Sequence, residues 1–224
     1  MTPAAPLTPA PAAPPLWCAP GVHLAEVDED IIVLDLKADA YDCLMGGAGS
    51  IRLIEGGGLE VSDPEVREAL AAAGIATPTP HRTPRPRLMA PARELPRTGS
   101  VSGLGTLQAV TALVIATLGF RGQSLEALIA VDAPGPASTP LDETELDRLV
   151  CAVRSARPFV PFQGECLQRS FELRRLLAAR GIASDWIFGV RTWPFAAHCW
   201  IQIGDLVIGD RLERVRFFTP ILAA

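Results

Sequence analysis

The chain has 224 residues, 49% of them hydrophobic, which fills a packed core in one large domain or two small ones and excludes global disorder and fibres. Twenty Lys and Arg against 25 Asp and Glu leave a net charge of −5, so no overall basic field recruits nucleic acid. Chemistry-bearing residues are scarce: no Asn, one lysine (Lys37), three histidines (His23, His81, His198) and five cysteines.

Residues 1–20 hold seven prolines and no Lys or Arg, which predicts an extended, disordered head and not a secretory signal. Cys18, Cys43, Cys151, Cys166 and Cys199 are odd in number and form no C-x-x-C pair, which argues against a disulfide framework or a zinc finger and for free thiols in the cytoplasm. Val22–Val27, the turn Asp28–Asp30 and Ile31–Leu36 read as a β-hairpin. Over Asp39–Glu55, Tyr41, Leu44, Met45, Ala48 and Ile51 recur at helical spacing, although Gly46, Gly47 and Gly49 weaken it. Leu59–Val61 reads as a short strand. Ser62-Asp63-Pro64-Glu65 then opens a capped helix that Gly74 ends. Residues 21–75 therefore make a small α+β unit suited to binding.

Six prolines and five arginines in residues 78–97 predict a solvated linker over 76–100. Val101–Phe120 lacks charge for twenty positions and is long enough to span a membrane, but Ser, Gly, Thr and Gln dilute it, and it reads as one of a buried helical pair with 123–131. After a Pro/Gly break at 134–140 come helices near 141–156 and 165–180. Strands follow at Ser184–Arg191, Ala197–Ile203 and Leu206–Asp210, with a last short strand at Val215–Thr219. Helices followed by an antiparallel sheet over 101–224 are again α+β.

Cys166 falls in the first turn of its helix, where unpaired N–H groups and the positive dipole end favour a thiolate, so it is the candidate nucleophile; the alternative is a buried, inert cysteine. His198 is the one imidazole after the linker and so the only base at hand. With no Asn in the chain, a carboxylate or glutamine must orient it, and the local carboxylates are Asp205 and Asp210. Asp205 sits in a hairpin-turn signal, which favours Asp210. A two-residue turn at Gly204–Asp205 nevertheless pairs Cys199 with Asp210 and leaves His198 on the other face, so the triad needs an irregularity. Cys199 is expected to face away and be structural. Gln163 is a candidate oxyanion donor beside the Cys166 N–H, or a plain surface-loop residue. Trp193 and Trp200 are groove or core. No nucleotide or metal motif is visible.

With ECLQRSFELRRLLAARGI, AAHCW and GDLVIGD, residues 140–220 resemble the transglutaminase-like, papain-related protease module of lasso peptide maturation. Residues 21–75, with VHLAEVDEDIIVLDLKADAYDCL, resemble a winged-helix-like leader-recognition domain related to the pyrroloquinoline quinone chaperone. Together they are similar to the B-protein family of lasso peptide biosynthesis. That resemblance implies a leader peptidase acting through Cys166, His198 and Asp210 by way of a thioester. The leader of a ribosomally made precursor would add as a strand beside Leu59, Glu60 and Val61, against a helix presenting Val66, Ala69 and Leu70. The released core would pass to an ATP-dependent macrolactam synthetase, and any ATP dependence would lie in that partner. No cofactor, nucleic acid or membrane enters. His-Cys-Trp in place of the family's commoner His-Ala-Trp is a small departure. Acyl transfer to an amine, as in transglutaminases, and a non-catalytic leader-binding scaffold are the rival readings.

Overall fold

The computed structural model describes residues 14–81, 88–130, 142–162 and 164–224. The expected hairpin forms β2 (Val22–Val27) and β3 (Asp30–Asp35), extended by β4 (Ala40–Leu44) into a three-stranded antiparallel sheet. A second sheet, in the order β5-β6-β1-β7, joins β5 (Ile51–Leu53), β6 (Gly58–Val61), β1 (Leu16–Cys18) and β7 (Ala76–Thr77). The helix α1 (Pro64–Ala72) begins as its sequence directs: Asp63 accepts the Glu65 N–H at 2.8 Å and Pro64 occupies the first turn.

Three expectations about this half are overturned. The helix predicted over 39–55 is absent: β4 and β5 stand there with a 3-10 turn at Gly47–Gly49, because pairing of β4 on β3 outweighs a helical period weakened by three glycines. The winged-helix-like unit is therefore β-rich, with α1 its single α-helix among the described residues of 14–81. Part of the proline-rich head is built in, since Leu16–Cys18 pairs with both β6 and β7; residues 1–13 lie outside the described residues.

The C-terminal half places a five-stranded sheet, in the order β12-β9-β10-β11-β8, against helices. Its strands are β8 (Arg93–Glu94), β9 (Asp185–Arg191), β10 (Ala196–Ile203), β11 (Leu206–Ile208) and β12 (Thr219–Ala223), antiparallel except where β8 runs parallel to β11. The helices are α2 (Gly103–Phe120), α3 (Leu125–Ala130), α4 (Glu143–Ala156), α5 (Cys166–Ala178) and the short α6 (Leu212–Val215). α5 lies on β10 and α2 packs on α4 and α5. The last strand falls at 219–223, with α6 where it was expected to start. α2 buries Ala109, Leu113, Ala116 and Thr117, whereas Leu104, Leu107, Ile115 and Leu118 are exposed among the described residues, so the buried-pair expectation holds for one face only. By length and composition α2 is apolar enough to cross a membrane. The predicted break at 134–140 lies outside the described residues.

The two halves are not beads on a string. Side chains alternate along β2 and β3: Val22, Leu24, Ile31 and Val33 enter the N-terminal core, while Ala25, Val27, Ile32 and Leu34 enter the C-terminal one. This period-two pattern makes the hairpin a shared wall. The predicted solvated linker is likewise corrected at its end, where Arg93–Glu94 joins the sheet and Leu95 is buried in the C-terminal core; residues 82–87 lie outside the described residues.

Candidate active site

Cys166 opens α5, preceded by Glu165, which makes no side-chain cap. The first-turn N–H groups and the dipole end are thus left to the sulfur. On the next turn, the Ser170 hydroxyl donates to the Cys166 carbonyl at 2.7 Å and accepts from Trp186 Nε1 at 2.7 Å, fixing the helix tip to the sheet.

His198 lies near the start of β10, on the Trp200 side of the strand, its ring 6.2 Å from that of Trp200 and 5.2 Å from that of Phe218. Its Nε2 is 2.5 Å from Asp210 Oδ2, and Cys166 lines the same cleft. The two-residue turn at Gly204–Asp205 forms as expected, pairing Ile203 with Leu206 and Ile201 with Ile208. The irregularity lies beyond it. Gly209 has φ +74°, ends the ladder and redirects Asp210 to His198; a Cβ there would meet Leu173 Cδ2 at 2.8 Å. Asp205 instead pairs with Arg93 at the turn.

The charges are mutually reinforcing. The Cys166 thiol is lowered to about 4, first by a hydrogen bond from the Cys199 side chain, then by His198, with the Cys199 N–H adding to both against the cost of burial. Burial pulls the His198 imidazole down, but hydrogen bonds to Asp210 and Cys166 and their charges outweigh it and raise it to about 9. Burial likewise pushes the Asp210 carboxyl up, and the His198 bond together with the Arg211 N–H brings it below its ordinary value. Each of these shifts favours the charged form of its group.

Two residues stand nearer Cys166 than their sequence suggests: Cys199, expected to face away, and Tyr41, expected on a helix. Cys199 is not a bystander: its buried thiol faces α5 and lies 3.3 Å from Ser170 Oγ, and the neighbouring Cys166 together with burial pushes it up. The signal was present in the alternation of β10, which puts Cys199 and Ile201 on the α5 face. Tyr41, on β4, packs against the C-terminal core with its ring 5.7 Å from that of Phe195, and burial and the charges of Cys199 and Cys166 push its phenol up. Nothing local in the sequence links it to Cys166.

Of the other expected residues, Trp200 is core, its indole N–H bonded to Gln202, and Trp193 is exposed with Nε1 3.0 Å from Asp30. Gln163 lies outside the described residues; on its far side, Gly164 packs so closely that a Cβ would lie 2.7 Å from Gln168 Cβ. Of the expected leader-binding strand, Leu59 is paired on both sides, with Leu53 of β5 and Leu16 of β1, which leaves no open edge at that residue, while Glu60 and Val61 are paired with Arg52 and Ile51 of β5. Leu59 and Leu70 are core, Val61 and Val66 pack on that core, Glu60 is ion-paired with Arg52, and Ala69 is exposed.

Residues 109–223, just over half of the chain, match the transglutaminase-like superfamily. The chain belongs to that superfamily. The match runs from α2 through β12 and so covers Cys166, His198 and Asp210. The chain is also 43% identical over 49 residues to the Microcin J25-processing protein McjB of Escherichia coli, a stretch that is 22% of this chain and 24% of McjB. The match thus spans about a quarter of that relative's length. No solved structure matches the chain significantly.

Proposed function

We propose that this transglutaminase-like protein is a cysteine endopeptidase that removes the leader from a ribosomally made precursor in lasso peptide maturation. The observation that carries the proposal is the 2.5 Å contact of His198 with Asp210 in the cleft that Cys166 lines from the tip of α5. The Cys166 thiolate attacks the scissile carbonyl, and its own backbone N–H faces the resulting oxyanion. His198 gives its proton to the departing amine as the thioester forms. The neutral imidazole then takes a proton from water, whose oxygen attacks the thioester, and the thiolate leaves with the acid released. Asp210 holds the ring and its charge throughout. The likeness to a microcin-processing protein supports a peptide precursor as substrate. In the N-terminal half, β7, which ends its sheet among the described residues and packs beside α1, is where an extended leader adds as a strand. The partner that consumes the freed core is an ATP-dependent macrolactam synthetase, and the compartment is the cytoplasm.

The superfamily match favours one second reading, transfer of the acyl group to an amine. Incubation with a precursor and a large excess of a primary amine, followed by mass measurement, separates them: free leader acid supports hydrolysis, and a leader–amine conjugate as the sole product supports transfer.

A further inference from the structure

The cleft beside Cys166 encloses about 500 Å³ and carries an excess of positive charge that the fold does not use. Five of the chain's nineteen arginines line it, against the carboxylates Glu165 and Asp210, in a protein whose net charge is −5. Three of the five are committed internally. Arg157 binds buried Glu172 at 2.9 Å and also reaches the Arg169 carbonyl. Arg97 donates to the Asp210 carbonyl at 2.5 Å and to Glu94 at 3.2 Å. Arg214 lies 3.6 Å from the far oxygen of Asp210.

Arg154 and Arg169 remain, exposed and with no ion pair among the described residues. Arg169 stands one turn beyond Cys166 on α5, and Arg154 one turn before Arg157 at the end of α4, so both border the space that a scissile bond would occupy. Two guanidiniums that border one cavity without an ion pair leave their hydrogen-bonding forks open to an anion. A carboxylate placed between them makes charge-assisted, fork-shaped hydrogen bonds.

Resting on the peptidase reading, we infer that this cleft selects a carboxylate within a few residues of the scissile bond, held by Arg154 and Arg169, from either an acidic side chain or a nearby chain terminus.

The test uses the full chain carrying Cys43→Ser, which removes the exposed thiol outside the site. Alkylation of Cys166 is followed by mass spectrometry with anionic iodoacetate and neutral iodoacetamide. The expected iodoacetate-to-iodoacetamide rate ratio falls about fivefold or more in R154Q/R169Q and is retained in R154K/R169K, since attraction to the cleft follows charge. An unchanged ratio in R154Q/R169Q overturns the inference. Terminally blocked peptides with Asp or Glu near the cleaved bond should exceed their Asn or Gln counterparts about tenfold in kcat/KM, a preference lost in R154Q/R169Q. A preference only for peptides with a free C-terminal carboxylate identifies the terminus as the source. Cleavage indifferent to any carboxylate overturns the inference while leaving the peptidase standing. No cleavage of any peptide, with the alkylation ratio still dependent on the arginines, supports the anion-selecting cleft and sinks the peptidase reading instead.

Discussion

His198 and Asp210 meet at 2.5 Å although the hairpin register between β10 and β11 would set them on opposite faces, and Gly209, at φ +74°, resolves the conflict. An L-residue at this position is strained and also collides with Leu173. Gly209→Ala is expected to destabilise the protein by about 1–3 kcal/mol and to lower kcat more than KM, because the ring loses its orienting group. Thermal denaturation and steady-state kinetics check it; kinetics unaltered in the folded variant would show that Asp210 reaches His198 without this glycine.

The activity of a thiolate–imidazolium pair is bounded by its two titrations. Cys166 is lowered to about 4, so the rate rises with pH through about 4 as the thiolate forms. His198 is raised to about 9, so the rate falls through about 9 as the imidazolium loses its proton. Asp210→Asn removes the charge that holds His198 up, which moves the alkaline limb down towards the ordinary 6.5 and slows kcat on the order of 10²–10⁴-fold. A pH profile of kcat/KM for both proteins checks the sign.

Cys199 is the largest influence holding the Cys166 thiol down. Cys199→Ala should therefore move the acid limb upward from about 4, while Cys199→Ser, which keeps a donor, should leave it nearer the parent value. The pH dependence of Cys166 alkylation by iodoacetamide measures this directly, and identical profiles for all three would remove Cys199 from the site.

The shared hairpin makes stability a property of the whole chain. Ile32 is fully buried in the C-terminal core although it belongs to the N-terminal half. Ile32→Ala is expected to cost about 2–5 kcal/mol and to lower activity together with stability, in a single calorimetric transition. Two separate transitions, with only the first shifted, would contradict the shared core.

What was legible in the sequence was local. The β2–β3 hairpin, α1 with its Asp63 cap, the helix beginning at Cys166 and the Gly204–Asp205 turn follow from periodicity and end signals within each segment. Elements decided by partners were not. β4 and β5 take their form from pairing with β3 and β6, against a helical spacing of Tyr41, Leu44, Ala48 and Ile51. Strands of two or three residues, such as β1, β7 and β8, carry no period to read. At the site, Cys166 stands out by its place in the first turn of a helix, His198 as the one imidazole after the linker, and Asp210 because Asp205 falls in a turn. The route of Asp210 around Gly209, the inward turn of Cys199 and the approach of Tyr41 from the other half depend on packing across long sequence separations.

The central claim is that the sulfur of Cys166 breaks the leader–core bond. It is tested by incubating the parent protein and Cys166→Ala with precursor and synthetase, weighing the fragments and measuring leader affinity of both proteins. The account predicts leader release by the parent, none by Cys166→Ala, and equal leader binding by the two. Undiminished leader release by Cys166→Ala would contradict it and leave a leader-binding scaffold whose cleavage is done elsewhere.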